Sequence, residues 1–178
     1  MSNTRRISRL ARILRTTVLL MLYALPLFVI VPLLTYPDLS VPIREEYSDY
    51  NLPHAFATWQ IAAYIAVFSV GLAILAIPLW HLHRLLARYA LGETLSPACA
   101  QALRRIGQGL LAVAAFSFVS NTIDILILTA LNASGERTLS IGIEDSDLAL
   151  VLAGTVVILV GWVMGQAAEM ADENRSFI

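Results

Sequence analysis

Four long apolar runs organise the chain, at 17–36, 57–80, 109–131 and 148–168. The first is uncharged over 20 residues, which as a helix spans about 30 Å, the thickness of a bilayer's hydrocarbon core. The second, of 24 residues, is also uncharged, and the third, of 23, carries the single charge Asp124. Each run is predicted to cross a membrane as a helix. The expected fold is therefore all-α, an integral membrane four-helix bundle with short interfacial amphipathic helices. Pro26 and Pro32 predict a kink in the first span, which membrane helices tolerate where neighbours satisfy the freed carbonyls. A cleavable signal peptide is disfavoured, because its apolar region is about 7–15 residues followed by small residues. Here the run is longer and Tyr36, Pro37 and Asp38 follow it.

The polar intervals orient these spans. The longest, 81–107, sets Arg84, Arg88, Arg104 and Arg105 against Glu93, and basic loops stay cytoplasmic. Within it Leu82, Leu85, Leu86 and Tyr89 continue the second helix; Gly92 ends it, and Ser96-Pro97 starts another that feeds the third span. Residues 5–16 form a second basic element. Arginines 5, 6, 9, 12 and 15 take one side of a helix while Ile7, Leu10, Ala11 and Leu14 take the other, the pattern of an interfacial helix on an anionic inner leaflet. A basic arm for a protein partner is the functional alternative. Arg104 and Arg105 precede Gly109 much as Arg12 and Arg15 precede Val18, a weak two-fold repeat. The interval 37–54 holds Asp38, Glu45, Glu46 and Asp49 against Arg44, with three prolines. It is expected outside, with Tyr47, Tyr50 and Phe56 at headgroup level. The interval 132–147 is acidic too and contains a β-like run at 138–143. Ten arginines then fall inside and two outside. Both termini, including the tail 169–178, are expected in the cytoplasm.

Composition agrees. The chain is 58% hydrophobic and 14% charged, with mean hydropathy +0.72, whereas soluble domains carry about 25% charged residues. A net charge of −1 conceals the sidedness of the arginines, which argues for orientation and against direct nucleic-acid binding. The lone Cys99 excludes an internal disulfide and any multi-thiolate metal site.

Few residues suggest chemistry. Asp124 shares a helix face with Asn121 and Ser117, and an intramembrane acid is a functional candidate by default. Its structural alternative is relief by water or by Arg137. Gln60, Ser69 and Gly71 in the second span, and Gly154, Gly161 and Gly165 in the fourth, read as helix contacts, since small residues allow close approach. His81 and His83 point to different faces; Glu169 and Glu173 would be needed to complete a metal site. Ion pairing of Glu169, Asp172 and Glu173 with Arg104, Arg105 or the first basic helix is the commoner arrangement and would clamp the tail. Haem between His54 and His81 is disfavoured, because they sit at opposite ends of one span. No zinc-protease, phosphate-loop or nucleophile-elbow motif is present. No catalytic, cofactor-binding or metal residue is assigned, no cofactor is expected, and the protein is not expected to be an enzyme.

The turn Leu91-Gly92-Glu93-Thr94-Leu95-Ser96, the run Leu103 to Gly107 and the tail Asp172-Glu173-Asn174-Arg175-Ser176-Phe177-Ile178 resemble motifs of one family. It comprises bacterial four-span inner-membrane proteins grouped as domain of unknown function 2975. Thr94 and Ile178 are mild departures. The resemblance implies a bacterial inner-membrane location and, often, a neighbouring gene for a small helix-turn-helix regulator. It carries no residue roles. The leading expectation is thus a membrane anchor or sensor that acts through a cytoplasmic partner, with Arg84, Arg88, Arg104, Arg105, Glu169, Asp172 and Glu173 as its surface. The alternative is a small proton-coupled transporter or exporter working through Asp124, as a homodimer because four helices alone enclose little.

Overall fold

The structure, a computed structural model, describes residues 2–53, 55–93, 95–132 and 145–176, with side chains from Ser8 to Asp172 within that set. His54, Thr94, Arg137, the 138–143 run and the side chains of Arg5, Arg6, Ile7 and Glu173 lie outside the described residues, as does the end of the tail-motif resemblance. Six helices follow one another: α1 (Ser2–Ala24), α2 (Leu27–Thr35), α3 (Ser40–Glu46), α4 (Thr58–Ala90), α5 (Pro97–Thr129) and α6 (Asp145–Ser176). Among the described residues there is no strand. Helices α4, α5 and α6 are each long and apolar enough to cross a membrane. Together α1 and α2 pass the same test as a pair bent by 44°, so the spans number three, or four if the pair is one.

The chain does not break where the sequence pattern separates a basic helix at 5–16 from a span at 17–36. Helix α1 runs through that boundary. Thr16 and Thr17 give no stop, because their hydroxyls bond back to the carbonyls of Arg12 and Ile13 at 3.1 and 3.2 Å. The break falls at Leu25-Pro26, where proline offers no N–H to continue the ladder. Pro32, by contrast, stays inside α2.

The polar interval 81–107 contracts to a tight turn at 91–96. Helix α4 carries its basic residues as far as Ala90. Gly92 then adopts φ 88°, a left-handed conformation in which glycine avoids the Cβ clash. The Ser96 hydroxyl accepts from the Cys99 N–H at 3.2 Å, and Pro97 opens α5. Cys99 is fully buried and its thiol donates to the Glu93 carbonyl at 3.3 Å.

The helices pack in a row: α1 on α4, α4 on α5, α5 on α6. Ala11 and Val18 of α1 meet Leu86 of α4, while Leu85 of α4 meets Cys99 and Ile106 of α5. The α5–α6 seam rests on backbone. A Cβ placed on Gly107 would lie 2.5 Å from the Gly154 carbonyl oxygen, and one on Gly161 only 2.8 Å from Arg104 Cγ. About half of the large apolar side chains among the described residues are exposed instead, including Leu20, Leu34, Val156 and Trp162. Water would make so much exposed apolar surface untenable; a lipid solvent favours it.

Candidate functional site

Asp124 stands on α5 near its last turn, and it is buried, with 8% of its surface exposed. Its helix face is polar because Ser117, Ser120 and Asp124 recur at helical spacing. These three line a cavity of about 220 Å³ with Phe68, Gly71 and Phe116 of the α4–α5 interface. The expected stripe differs in one member. Ser120 replaces Asn121, which is half-buried and does not line this cavity.

The partner of Asp124 comes from a different segment. Tyr47, which caps the C-terminus of α3, hydrogen-bonds the Asp124 carboxylate through its hydroxyl. The half-buried Tyr47, expected at headgroup level, meets Tyr64 of α4 edge-on, at 6.2 Å and 85°. The Tyr64 hydroxyl in turn bonds that of Tyr47. A phenol has one proton to give. If Tyr47 gives its own to Asp124, its oxygen accepts from Tyr64, and the chain reads Tyr64 to Tyr47 to Asp124. Burial pushes the Tyr47 hydroxyl above its ordinary value of 10.0, and the negative charge of Asp124 adds to that rise. The second carboxylate oxygen, Asp124 Oδ1, is buried with no hydrogen-bond partner among the described residues.

Two more ties fold the 37–57 segment on itself and a third joins it to the end of α5. Asp38 turns the chain into α3 by accepting from the Ser40 N–H at 2.8 Å. Arg44 donates to the Pro53 carbonyl at 2.8 Å and lies over the Phe56 ring at 5.5 Å. Asn132, just past α5, donates to the Asn51 carbonyl at 2.8 Å. Beneath the segment Gln60 is fully buried. It accepts from the Ala57 N–H at 2.8 Å and donates to the carbonyls of Ile127 at 2.8 Å and Leu128 at 3.2 Å. Gln60 is thus a helix-contact residue, joining the start of α4 to the end of α5. A second cavity, of about 320 Å³, lies between α2, α3 and α4, with Glu46 and Tyr64 among its lining residues.

At the other end of the molecule the expected basic and acidic surface divides in two. Arg84, Arg88 and Arg105 converge on a cleft between α4 and α5. Arg104 turns away and packs along Gly161 of α6. Glu169 and Asp172 are exposed on α6, and no ion pair joins them to an arginine among the described residues. Among the described residues these two form no such clamp of the tail. His81 lines the arginine cleft while His83 stacks on Trp80 at 5.9 Å. Among the described residues no three His, Cys, Asp or Glu side chains gather as a metal site would require.

Residues 36–178 match the family model described as Protein of unknown function (DUF2975). The chain belongs to this family. Beginning at Tyr36, the DUF2975 match takes in α3 to α6, and so contains Tyr47, Tyr64, Asp124 and the arginine cleft, while α1 and α2 lie before it. No curated protein and no solved structure matches the chain.

Besides Ser120, two residues of the Asp124 site escape a reading of the sequence. Tyr64 lies one turn after Gln60 on α4, so a polar stripe at that spacing was present as a signal. Tyr47 offered none beyond being a tyrosine in an acidic interval.

Proposed function

We propose that this protein is a non-enzymatic sensor or anchor of the bacterial inner membrane. It detects a change at its outer face and passes it to a cytoplasmic protein, such as a small helix-turn-helix regulator. The observation that carries this reading is the docking of the α3 segment on Asp124 through Tyr47, on a helix that continues unbroken to the arginine cleft. A stimulus that separates Tyr47 from Asp124 leaves a buried carboxylate poorly satisfied. That carboxylate is expensive to keep in place, so α5 moves, and its far end carries the movement to Arg105 and the 91–96 turn. The arginine excess assigns that far end to the cytoplasm.

The polar groups near Asp124 do not extend along the interface. Leu75 and Val113 close the inner side of the cavity. Pro78 packs on Gly109, its Cβ and Cδ 3.0 Å from where a Cβ there would stand. This argues against a conduit through one chain. One observation favours the transport reading nonetheless, namely that Asp124 lines a cavity and keeps a buried Oδ1 with no hydrogen-bond partner among the described residues, an acceptor for a proton or small cation. If Asp124→Asn leaves uptake, efflux and resistance unchanged in a folded protein, that reading has no residue left.

The sensor reading is tested by mass spectrometry of what co-purifies with tagged protein from its own host, in wild type and in a variant lacking residues 169–178. A stoichiometric regulator that is lost with the tail is the expected result. An empty preparation from both would contradict it.

A further inference from the structure

The arginine cleft has the makings of a ligand site. His81, Arg84 and Arg88 recur at helical spacing on α4, and Gln101 and Arg105 do so on α5, so two stripes face each other across a cavity of about 230 Å³. No acidic residue lines it. Among the described residues none of the three guanidiniums has a salt-bridge partner. Ala98 at the N-terminus of α5 completes the wall, adding the positive end of a helix dipole. Three like charges held on facing helices repel one another, and an anion between them removes that repulsion. Guanidiniums suit a phosphate in particular, because their paired donors match its oxygens.

The neighbouring surface narrows the choice of phosphate. An apolar groove of about 420 Å³ adjoins the cleft and shares His81 with it, lined otherwise by Leu22, Ala76, Ile77 and Trp80. A cationic cleft continuous with an apolar groove fits a molecule that is itself divided in this way. We infer that the cleft of His81, Arg84, Arg88 and Arg105 binds the phosphate of an anionic phospholipid, with an acyl chain along Ile77 and Trp80. The orientation on which this rests is that of the sensor reading, but binding requires no protein partner. The two can fail separately.

The test is native mass spectrometry of the intact, detergent-purified chain with phosphatidylglycerol, phosphatidylcholine or inorganic phosphate added in separate arms. Phosphatidylglycerol should be retained about tenfold more than phosphatidylcholine, about 1.4 kcal/mol. Arg88→Gln with Arg105→Gln should abolish the preference at unchanged helical content. Arg104→Gln, at a residue outside the cleft that packs along Gly161 of α6, should preserve it. If the glutamine pair does not fold, Arg88→Lys with Arg105→Lys keeps the charge and should weaken retention without erasing the preference. Equal retention of the two lipids, or a preference that survives Arg88→Gln with Arg105→Gln, would overturn the assignment. Retention of inorganic phosphate without lipid discrimination would overturn the lipid and leave a soluble phosphate compound as the ligand.

Discussion

Gly107→Ala offers the sharpest test of how α5 and α6 pack. The added Cβ would stand 2.5 Å from the Gly154 carbonyl oxygen, 2.6 Å from Ile158 Cγ1 and 2.9 Å from the Ile158 nitrogen. Two of these three atoms are backbone and cannot turn aside. Ordinary contact begins near 3.4 Å, so the helices must separate by about 0.9 Å, which loosens the whole seam. Gly165→Ala is the matched control, because its Cβ would meet only Ala100 Cβ, at 3.7 Å. Both substitutions gain the same helix propensity, about 1 kcal/mol, so their difference isolates the clash. We expect Gly107→Ala to be less stable than Gly165→Ala by about 1–3 kcal/mol, the range for forced overpacking. The assay is reversible unfolding of the purified chain in mixed micelles of increasing denaturing detergent, followed by circular dichroism. A difference below about 0.5 kcal/mol, the ordinary scatter of independent sites, would refute the backbone-to-backbone seam.

Two further predictions concern the opposite end of the molecule. Gln60→Leu removes two hydrogen bonds from the start of α4 to the end of α5 and a third that caps α4 at Ala57; with buried partners left unpaired it should cost about 1–3 kcal/mol in the same titration, and a neutral result would remove Gln60 from the helix junction. Tyr47 predicts an alkaline transition: because its folded pKa is raised above the ordinary 10.0, its contribution to docking is complete below that value and is lost as pH rises past it. Limited proteolysis of the 47–56 segment should therefore accelerate at alkaline pH in wild type. In Tyr47→Phe cleavage should start faster and lack this Tyr47 component; an identical alkaline rise in both would contradict the assignment.

The features legible in the sequence were those set by local chemistry. Gly92, Ser96 and Pro97 each impose a backbone requirement on their own position, so the turn at 91–96 could be placed without knowing its neighbours. The long apolar runs were equally plain, since lipid demands them. What depended on register between helices was not legible. Gly161 and Gly165 have a small-residue spacing within α6, yet Gly165 has room while Gly107 and Gly154, on different helices, touch. Adjacent arginines at 104 and 105 read as one charge pair. About 100° apart on a helix, they serve different interfaces. Both prolines of the first run suggested a kink, yet the helix breaks at Pro26 and runs through Pro32, a difference the run itself does not signal. Asp124 was conspicuous as a charge in an apolar run, but its partner Tyr47 depends on how the 37–57 segment folds back.

The central claim is that the Tyr47–Asp124 end of α5 is coupled to the far end of the same helix. Cys99 reports on this directly, being the chain's one cysteine, fully buried at the 91–96 turn. The measurement is the rate of Cys99 alkylation by a membrane-permeant maleimide in native membranes, for wild type and for Tyr47→Phe. Coupling predicts slow labelling in wild type and a clear acceleration in Tyr47→Phe. Unchanged labelling of Cys99, in a variant whose 47–56 segment has become sensitive to protease, would contradict it.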